Sequence, residues 1–231
     1  MTAGPLCEAL CIGAHPDDVE IGMGGTVAKM VREGARVVIV DLTNGEPTPY
    51  GTPEKRAEES ARAAAVLGVE RRTLSQPNRY LFDTVDARTE LAEVMREFRP
   101  RTIFCPYAED THPDHIAASR IAVAARFYAK FTHTDMAGEP FFPERVYRYM
   151  AVHMRVVAEP SFIVDVSRDL PRKLEALAAY ESQFSGNPAN AGVIDLVAGQ
   201  AAVWGAAGRV EAGEPFFALE PLTIRSVTDL I

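Results

Sequence analysis

Two short clusters of histidine and aspartate carry most of the chemistry that this sequence can support. The first is His15-Pro16-Asp17-Asp18, and the second, much later in the chain, is His112-Pro113-Asp114-His115. Imidazole nitrogens and carboxylate oxygens are ligands of catalytic zinc, which takes three protein ligands and leaves one position open for water. Because neither cluster contains cysteine, both suit a site that activates water. The sequence therefore predicts a metal-dependent hydrolase.

The segments that precede the two clusters have the pattern of buried strands. Residues 9–14 run directly into the first cluster, and residues 102–106 end just before the second. Further helices are predicted at 24–34, 53–67, 86–98, 170–184 and 193–207, and further strands at 36–42, 146–152, 162–166 and 216–219. This alternation predicts an α/β fold, a Rossmann-like, doubly wound and mostly parallel sheet with helices on both faces. Ligands bind beyond the carboxyl ends of the strands in such sheets, so we expect both clusters at one site.

Each cluster taken alone has a simpler interpretation, a turn that caps a helix. Asp and Pro are common in turns, and Pro113 suits the first turn of a helix because its missing N–H would have no partner there. This arrangement puts His112 at the N-cap and His115 within the first turn. Two such clusters, each after a strand, favour a shared site over two unrelated turns.

Composition limits the class of protein. The chain has 231 residues, 47% of them hydrophobic, and a formal net charge of −8, which predicts one domain over residues 1–231 and disfavours nucleic acid or an anionic membrane as partner. We see neither a signal peptide nor a run of the ~20 apolar residues that span a bilayer, so we expect a cytoplasmic protein. The three cysteines are too few and too irregular for a disulfide framework, and we expect them to be buried hydrophobic residues.

A wider set of residues resembles one family. Ala14 together with the first cluster, then Glu20 and Gly24-Gly25-Thr26, with the later second cluster, is similar to the LmbE-like (PIG-L) deacetylases. The similarity also takes in the segment 52–56, Asn78-Arg79 and the segment 180–184 (YESQF). The resemblance implies a Rossmann-like fold and zinc-dependent removal of N-acetyl groups from small molecules that carry N-acetylglucosamine. It also implies a homo-oligomer, a trimer or hexamer.

The resemblance assigns a role to each residue of the clusters. It implies that His15, Asp18 and His115 hold Zn²⁺, and that Asp17 is the general base toward the attacking water. It implies that His112 stabilises the oxyanion or protonates the leaving amine, with Asp114 orienting His112. Arg56 matches a family arginine that contacts substrate. Amide hydrolysis needs these functions: an activated water, a charge near the oxyanion, and an acid for the nitrogen.

The substrate is expected to be a small amino-sugar conjugate. The segment 180–184 and the segment 213–217 are similar to the subgroup that deacetylates N-acetylglucosaminyl malate in bacillithiol biosynthesis, although Thr111 stands where that subgroup often has a basic residue. Glu46, in a turn-rich loop, and His153, after a predicted strand, are further candidates for substrate contact. Each has an alternative interpretation, a solvated loop side chain.

Two alternatives to this function remain open. The enzyme could act on another N-acyl amino sugar, such as chitobiose or an N-acetylated antibiotic precursor. The chain could also be a non-catalytic, metal-binding Rossmann-like protein, which predicts metal binding without hydrolysis. A dinucleotide site at Gly22–Gly25 is disfavoured, because the spacing is not that of the nucleotide motif and Asp17 and Asp18 would repel a pyrophosphate.

Overall fold

Strands and helices alternate along the computed structural model, which describes residues 4–151, 158–223 and 226. In chain order the elements are β1 (Cys7–Gly13), α1 (Asp18–Arg32), β2 (Val37–Thr43), α2 (Pro53–Leu67), β3 (Glu70–Gln76), α3 (Val85–Phe98), β4 (Pro100–Pro106), α4 (Pro113–Tyr128), β5 (Arg145–Tyr149), β6 (Phe162–Asp165), α5 (Leu170–Ala178), α6 (Val193–Gly208) and β7 (Gly213–Ala218). None of the helices in these residues is long and apolar enough to cross a membrane.

The strands of the described residues form one seven-stranded sheet in the order β3-β2-β1-β4-β5-β7-β6. The pairs from β3 through β5 are parallel, whereas β7 runs antiparallel to both of its neighbours. Chain order changes direction between β1 and β4, so the crevice of an open α/β sheet lies beyond their carboxyl ends. Both histidine clusters follow these two strands. The predicted mostly parallel α/β fold is confirmed.

Helices cover both faces of the sheet because successive strand residues point to opposite sides. Leu10 and Ile12 of β1 pack into a core with α3 and α4, and Ala9 and Cys11 pack into a second core with α1, α2 and α5. The strand residues are apolar on both faces, as expected for a parallel strand that is covered twice. The cysteines are buried and free, as the sequence predicts: Cys7, Cys11 and Cys105.

Helix α1 begins at Asp18, and the prediction of a start at Gly24 was wrong. Its backbone leaves the helical region only at Met23, where φ is −150°. The Glu214 carboxylate accepts hydrogen bonds there from the N–H groups of Gly25 and Thr26, at 3.0 and 2.6 Å. The glycines that suggested a late start instead permit close packing, since a Cβ on Gly22 would overlap the Tyr149 ring.

Glu214 also forms a buried ion pair, and this pair gives a stability prediction. Its Oε1 accepts from Lys173 Nζ at 2.6 Å, and both side chains are at most 3% exposed. Glu214→Gln leaves the Lys173 ammonium without its countercharge, so we expect the free energy of unfolding to fall by about 3–5 kcal/mol. Urea denaturation measures this change. Glu70→Gln, which breaks the exposed pair with Arg36, is the control and should cost no more than about 1 kcal/mol.

Three further segments differ from or extend the predictions. The polar edge strand β3 was not predicted, because its sequence ERRTLSQ lacks an apolar run. In the structure none of its residues is fully buried. Helix α5 ends at Ala178 rather than at 184, and residues 180–184 continue as turns. The predicted loop over 131–143 contains no helix or strand. The Arg96 guanidinium stabilises it by donating to four backbone carbonyls, those of Ala129, Phe131, Met136 and Gly138.

Candidate metal centre and its cleft

Three side chains from the two clusters meet at the crevice between β1 and β4. His15, Asp18 and His115 each offer one ligand atom, and these atoms lie within 4.8 Å of one another. His115 Nε2 is 3.2 Å from Asp18 Oδ1, and His15 Nδ1 is 3.5 Å from Asp18 Oδ2. His15 also has this spacing with His112 and Asp114. Two imidazoles and one carboxylate fit a catalytic zinc or another divalent metal.

The turn after β1 explains how adjacent aspartates have separate functions. Asp18 Oδ2 accepts from the backbone N–H groups of Ala14 and His15, both at 2.9 Å, and Oδ1 faces His115. Asp17 precedes α1 with φ at 111°, an unfavourable conformation for a residue with a Cβ. Such conformations persist where the surrounding structure enforces them, often at functional sites. This backbone turns the Asp17 carboxylate away from Asp18 and toward Arg56.

Each histidine of the candidate metal set has its outer ring nitrogen against a carboxylate. His15 Nε2 lies 3.0 Å from Asp114 Oδ2, and His115 Nδ1 lies 3.0 Å from Asp110 Oδ2. A carboxylate in this position fixes the ring orientation and raises the basicity of the ligating nitrogen. Asp110 was missed by sequence reasoning because it stands outside the histidine motif. The sequence feature that could have indicated Asp110 is its position five residues before His115.

Asp114 contacts His15 through its carboxylate and His112 through its backbone N–H. Its carboxylate contacts His15 and accepts from the backbone N–H groups of Arg79 and Leu81, at 2.8 and 3.3 Å. Its own backbone N–H donates to His112 Nδ1 at 3.2 Å, because His112 is the N-cap of α4. Thus the carboxylate of Asp114 orients His15, and the helix N-terminus orients His112.

Asp110→Asn is expected to weaken zinc affinity by roughly 10- to 100-fold, because an amide is a poorer partner for the His115 ring than a carboxylate. Competition with a chromogenic chelator measures the affinity. Glu109→Gln changes the neighbouring exposed acid and is the matched control, with an unchanged affinity expected. Equal affinities of Asp110→Asn and the native protein would show that Asp110 does not support the metal.

Asp17 and Arg56 form a buried pair beside this cluster. Arg56 Nη2 donates to Asp17 Oδ2 at 2.9 Å and also contacts the Pro16 carbonyl. The Arg56 side chain is 3% exposed, and its Nε and Nη1 atoms have no hydrogen-bond partner among the described residues. Burial raises the pKa of Asp17 to about 6, against the opposing effect of the Arg56 charge. A carboxyl with a pKa near neutrality beside a cleft suits a general base.

The histidines of the cluster sit in a strongly negative environment. Burial opposes their protonation, but hydrogen bonds that His15 makes to the Asp114 and Asp18 carboxylates raise its pKa to about 9, and the Asp18 charge raises the pKa of His115 to about 10. Burial likewise opposes ionisation of Asp18, yet His115 holds its pKa well below the usual range. The same negative potential favours a divalent cation between these side chains. The residues present therefore fit a metal.

His112 differs from the other two histidines. Burial, followed by the charges of His115 and His15, lowers its pKa to about 4. Its ring stacks on that of His115 with centroids 4.6 Å apart. Because Nδ1 accepts from the Asp114 N–H, the neutral ring carries its proton on Nε2. This tautomer can donate to a developing oxyanion.

A cleft of about 460 Å³ opens onto these side chains. Besides the clusters it is lined by Arg56, Asn78 and Arg79 and by residues of the later segments, including Gln183, Phe184 and Leu196. The structure thus places Arg56 where the sequence predicts substrate contact. Phe184 and Leu196 were not predicted, since apolar residues carry no chemical signal in a sequence.

Glu46, the second of the predicted substrate residues, does not line this cleft. Glu46 lies behind the cleft wall, 7% exposed, and its carboxylate accepts from the N–H and the hydroxyl of Thr48 at 2.5 and 2.8 Å. It therefore fixes the loop between β2 and α2 instead of facing a ligand. His153 lies outside the described residues.

Comparison with known proteins identifies the family of this chain. A family model described as PIG-L: GlcNAc-PI de-N-acetylase matches residues 10–126. A diacetylchitobiose deacetylase of Thermococcus kodakarensis is 33% identical over 77% of this chain and 70% of its own length. A 1D-myo-inositol 2-acetamido-2-deoxy-alpha-D-glucopyranoside deacetylase of Streptomyces scabiei is 30% identical over 91% of this chain and 78% of its own length.

A solved structure extends the similarity beyond the part that the family model matches. The conserved protein TT1542 from Thermus thermophilus superposes with a TM-score of 0.87 at 37% identity, covering 96% of this chain and 98% of that chain. The matched residues 10–126 include both histidine clusters and the strands that precede them. The chain belongs to the PIG-L family of deacetylases.

Proposed function

We propose that this protein is a zinc-dependent N-deacetylase that hydrolyses the acetamide of a small N-acetylglucosamine conjugate. The observation that carries the proposal is the cluster of His15, Asp18 and His115 with the Asp17 carboxylate beside it in an open cleft. Family membership and the names of the two relatives, one acting on diacetylchitobiose and one on an inositol glycoside, support an amino-sugar acetamide as the substrate.

The metal would be held by His15 Nδ1, Asp18 Oδ1 and His115 Nε2, and when bound it supplies Lewis acidity to water and to the amide carbonyl. Asp17 takes the proton of the attacking water. His112 donates from Nε2 to the oxyanion that develops on the amide oxygen. The proton that Asp17 has taken then passes to the leaving amine, because an amine is more basic than a carboxylate, and Asp17 returns to its ionised form.

Arg56 is proposed to bind the sugar. Arg56 lines the cleft, and its buried Nε and Nη1 groups lack a hydrogen-bond partner among the described residues, so a substrate hydroxyl or carbonyl that reaches this side chain would offer them an acceptor. An unsatisfied buried donor costs free energy that a bound ligand recovers. A substrate bound by Arg56 would also lie next to Asp17, which accepts a hydrogen bond from the same guanidinium.

The candidate substrates differ in the aglycone, the group that is joined to the amino sugar. The malate conjugate, an inositol glycoside, diacetylchitobiose and an N-acetylated antibiotic precursor all remain candidates, and the two relatives name the inositol glycoside and the chitobiose. The proposed partner is therefore a small amino-sugar conjugate and neither a nucleic acid nor a membrane. A cytoplasmic location and a homo-oligomeric assembly stay predictions.

Acetate release tests the proposal. Protein stripped of metal and then reloaded with one equivalent of Zn²⁺ is assayed on N-acetylglucosaminyl malate, N-acetylglucosaminyl inositol, diacetylchitobiose and free N-acetylglucosamine. We expect zinc to restore release from at least one conjugate, and the conjugate with the highest kcat/KM identifies the aglycone. Stoichiometric zinc binding with no release from any of the four would favour the non-catalytic metal-binding alternative.

A further inference from the structure

The ring of Tyr180 contacts two arginine guanidinium groups beneath the cleft. The Cζ atom of Arg56 lies 5.3 Å from the ring centroid, and that of Arg71 lies 6.0 Å from it. Tyr180 itself is fully buried. A cation within about 6 Å of an aromatic ring is attracted by it, and the attraction grows when water is excluded. Tyr180 belongs to the YESQF segment, to which the proposed reaction gives no part.

The hydroxyl end of Tyr180 is fixed by charged side chains from three other elements. Its Oη donates to Glu20 Oε1 at 2.9 Å. Glu20 Oε1 also accepts from Arg71 Nη1 at 2.5 Å. Arg71 also donates to both oxygens of Asp41, at 2.6 and 2.8 Å. Glu20 and Asp41 are fully buried. Strands β2 and β3 and helix α1 thus hold the phenol in one position.

Arg56 is held much less completely by hydrogen bonds than Arg71. It uses Nη2 for Asp17 and the Pro16 carbonyl, while Nε and Nη1 have no partner among the described residues. A guanidinium held through one nitrogen can rotate about that contact. The Tyr180 ring, whose hydroxyl is held by Glu20, is a further contact that limits this rotation.

We propose that Tyr180 is a positioning residue whose ring holds the Arg56 guanidinium in place, so that Arg56 in turn orients the Asp17 carboxylate beside the cleft. The inference rests on the proposed function, because Asp17 and Arg56 act there as base and substrate contact. The ring is the part that acts on Arg56, and the hydroxyl serves to hold the ring. Loss of the ring should therefore matter more than loss of the hydroxyl.

Kinetics of Tyr180→Leu and Tyr180→Phe test this order. We expect Tyr180→Leu to lower kcat by roughly 10- to 100-fold, as displacement of a catalytic group by about 1 Å does, with one zinc still bound. We expect Tyr180→Phe, which keeps the ring, to stay within about threefold of the native kcat. Equal losses for both variants, or a native kcat for Tyr180→Leu, would overturn the proposal.

Phe98→Leu is the matched control for the loss of a buried ring. Phe98 is 4% exposed and likewise contacts two arginines, with the Arg36 and Arg72 Cζ atoms at 5.7 and 5.4 Å from its centroid. It closes α3, and Arg36 precedes β2, so this contact lies at the opposite edge of the sheet from the clusters. Phe98→Leu should lower the thermal midpoint yet leave kcat unchanged. If Phe98→Leu lost as much kcat as Tyr180→Leu, weakened folding would explain both losses and the proposal would be wrong.

A second readout does not depend on turnover. In protein labelled with ¹⁵N-arginine, the Arg56 Nε–H signal is identified by its loss in Arg56→Lys and reports the ring current of Tyr180. We expect this signal to move in Tyr180→Leu and to keep its position in Tyr180→Phe. An unmoved signal in Tyr180→Leu overturns the positioning inference, whereas absence of acetate release from the native protein overturns only the proposed function.

Discussion

Replacing Asp17 with asparagine is expected to lower kcat by roughly 10²- to 10⁴-fold, the range for removal of a general base or acid. Asparagine has the same shape but cannot accept the proton of the attacking water. The ligand atoms of His15, Asp18 and His115 are untouched, so the protein should still bind one zinc per chain. Steady-state acetate release measures the loss, and metal analysis of the same sample confirms the zinc content.

Asp135→Asn is the control for this variant, because Asp135 is an exposed aspartate in the loop over 131–143. Its kcat should equal that of the native protein. The non-catalytic alternative makes the opposite prediction for Asp17→Asn, namely no measurable change in any property. A kcat for Asp17→Asn within a few-fold of the native value would show that another group takes the proton.

Removing a metal ligand should have a different signature. His115→Ala deletes a side chain that is 1% exposed and faces Asp18 Oδ1 at 3.2 Å. We expect the zinc content of the purified protein to fall from one equivalent toward zero, and acetate release to fall by roughly a thousandfold or more. Several kcal/mol of transition-state stabilisation by the metal correspond to a factor of this size.

His133→Ala provides the matched control, since His133 is exposed in the loop over 131–143 and should leave zinc content and kcat unchanged. Far-ultraviolet circular dichroism checks that His115→Ala is folded. A variant that lacks His115 but retains one tightly bound zinc would move the site to the second grouping, that of His15, His112 and Asp114. The two signatures therefore separate the base from the ligands.

The candidate metal centre was predictable because its residues fall in two short motifs and each motif follows a strand. His15 and Asp18 lie in the turn after β1, and His115 lies in the first turn of α4, so strand order alone brings them to one crevice. Parallel strands order their carboxyl ends at a single edge, and a right-handed crossover places the intervening helix on a face of the sheet. Local pattern was enough to bring the two clusters together, whereas the ligand set was implied by the family resemblance.

The residues that support the centre were not predictable in the same way. Asp110 and Asp114 look alike in sequence, yet the carboxylate of Asp110 contacts His115 and that of Asp114 contacts His15. Glu46 has the composition of a ligand in a loop, but its carboxylate is used by the neighbouring Thr48. Which partner a buried carboxylate takes depends on side-chain directions that only the packed structure sets.

The sequence by itself determined the α/β class, the presence of two histidine–aspartate clusters after strands and the burial of the cysteines, because each depends on residue type and short-range period. Only the tertiary structure decided that the Glu214 carboxylate accepts a hydrogen bond from the Gly25 N–H within α1. The same holds for the contact between the Tyr180 ring and the Arg56 guanidinium. These contacts join residues far apart in the chain, and no local pattern encodes them. Buried polar groups must find partners, but the sequence leaves the choice of partner to the fold.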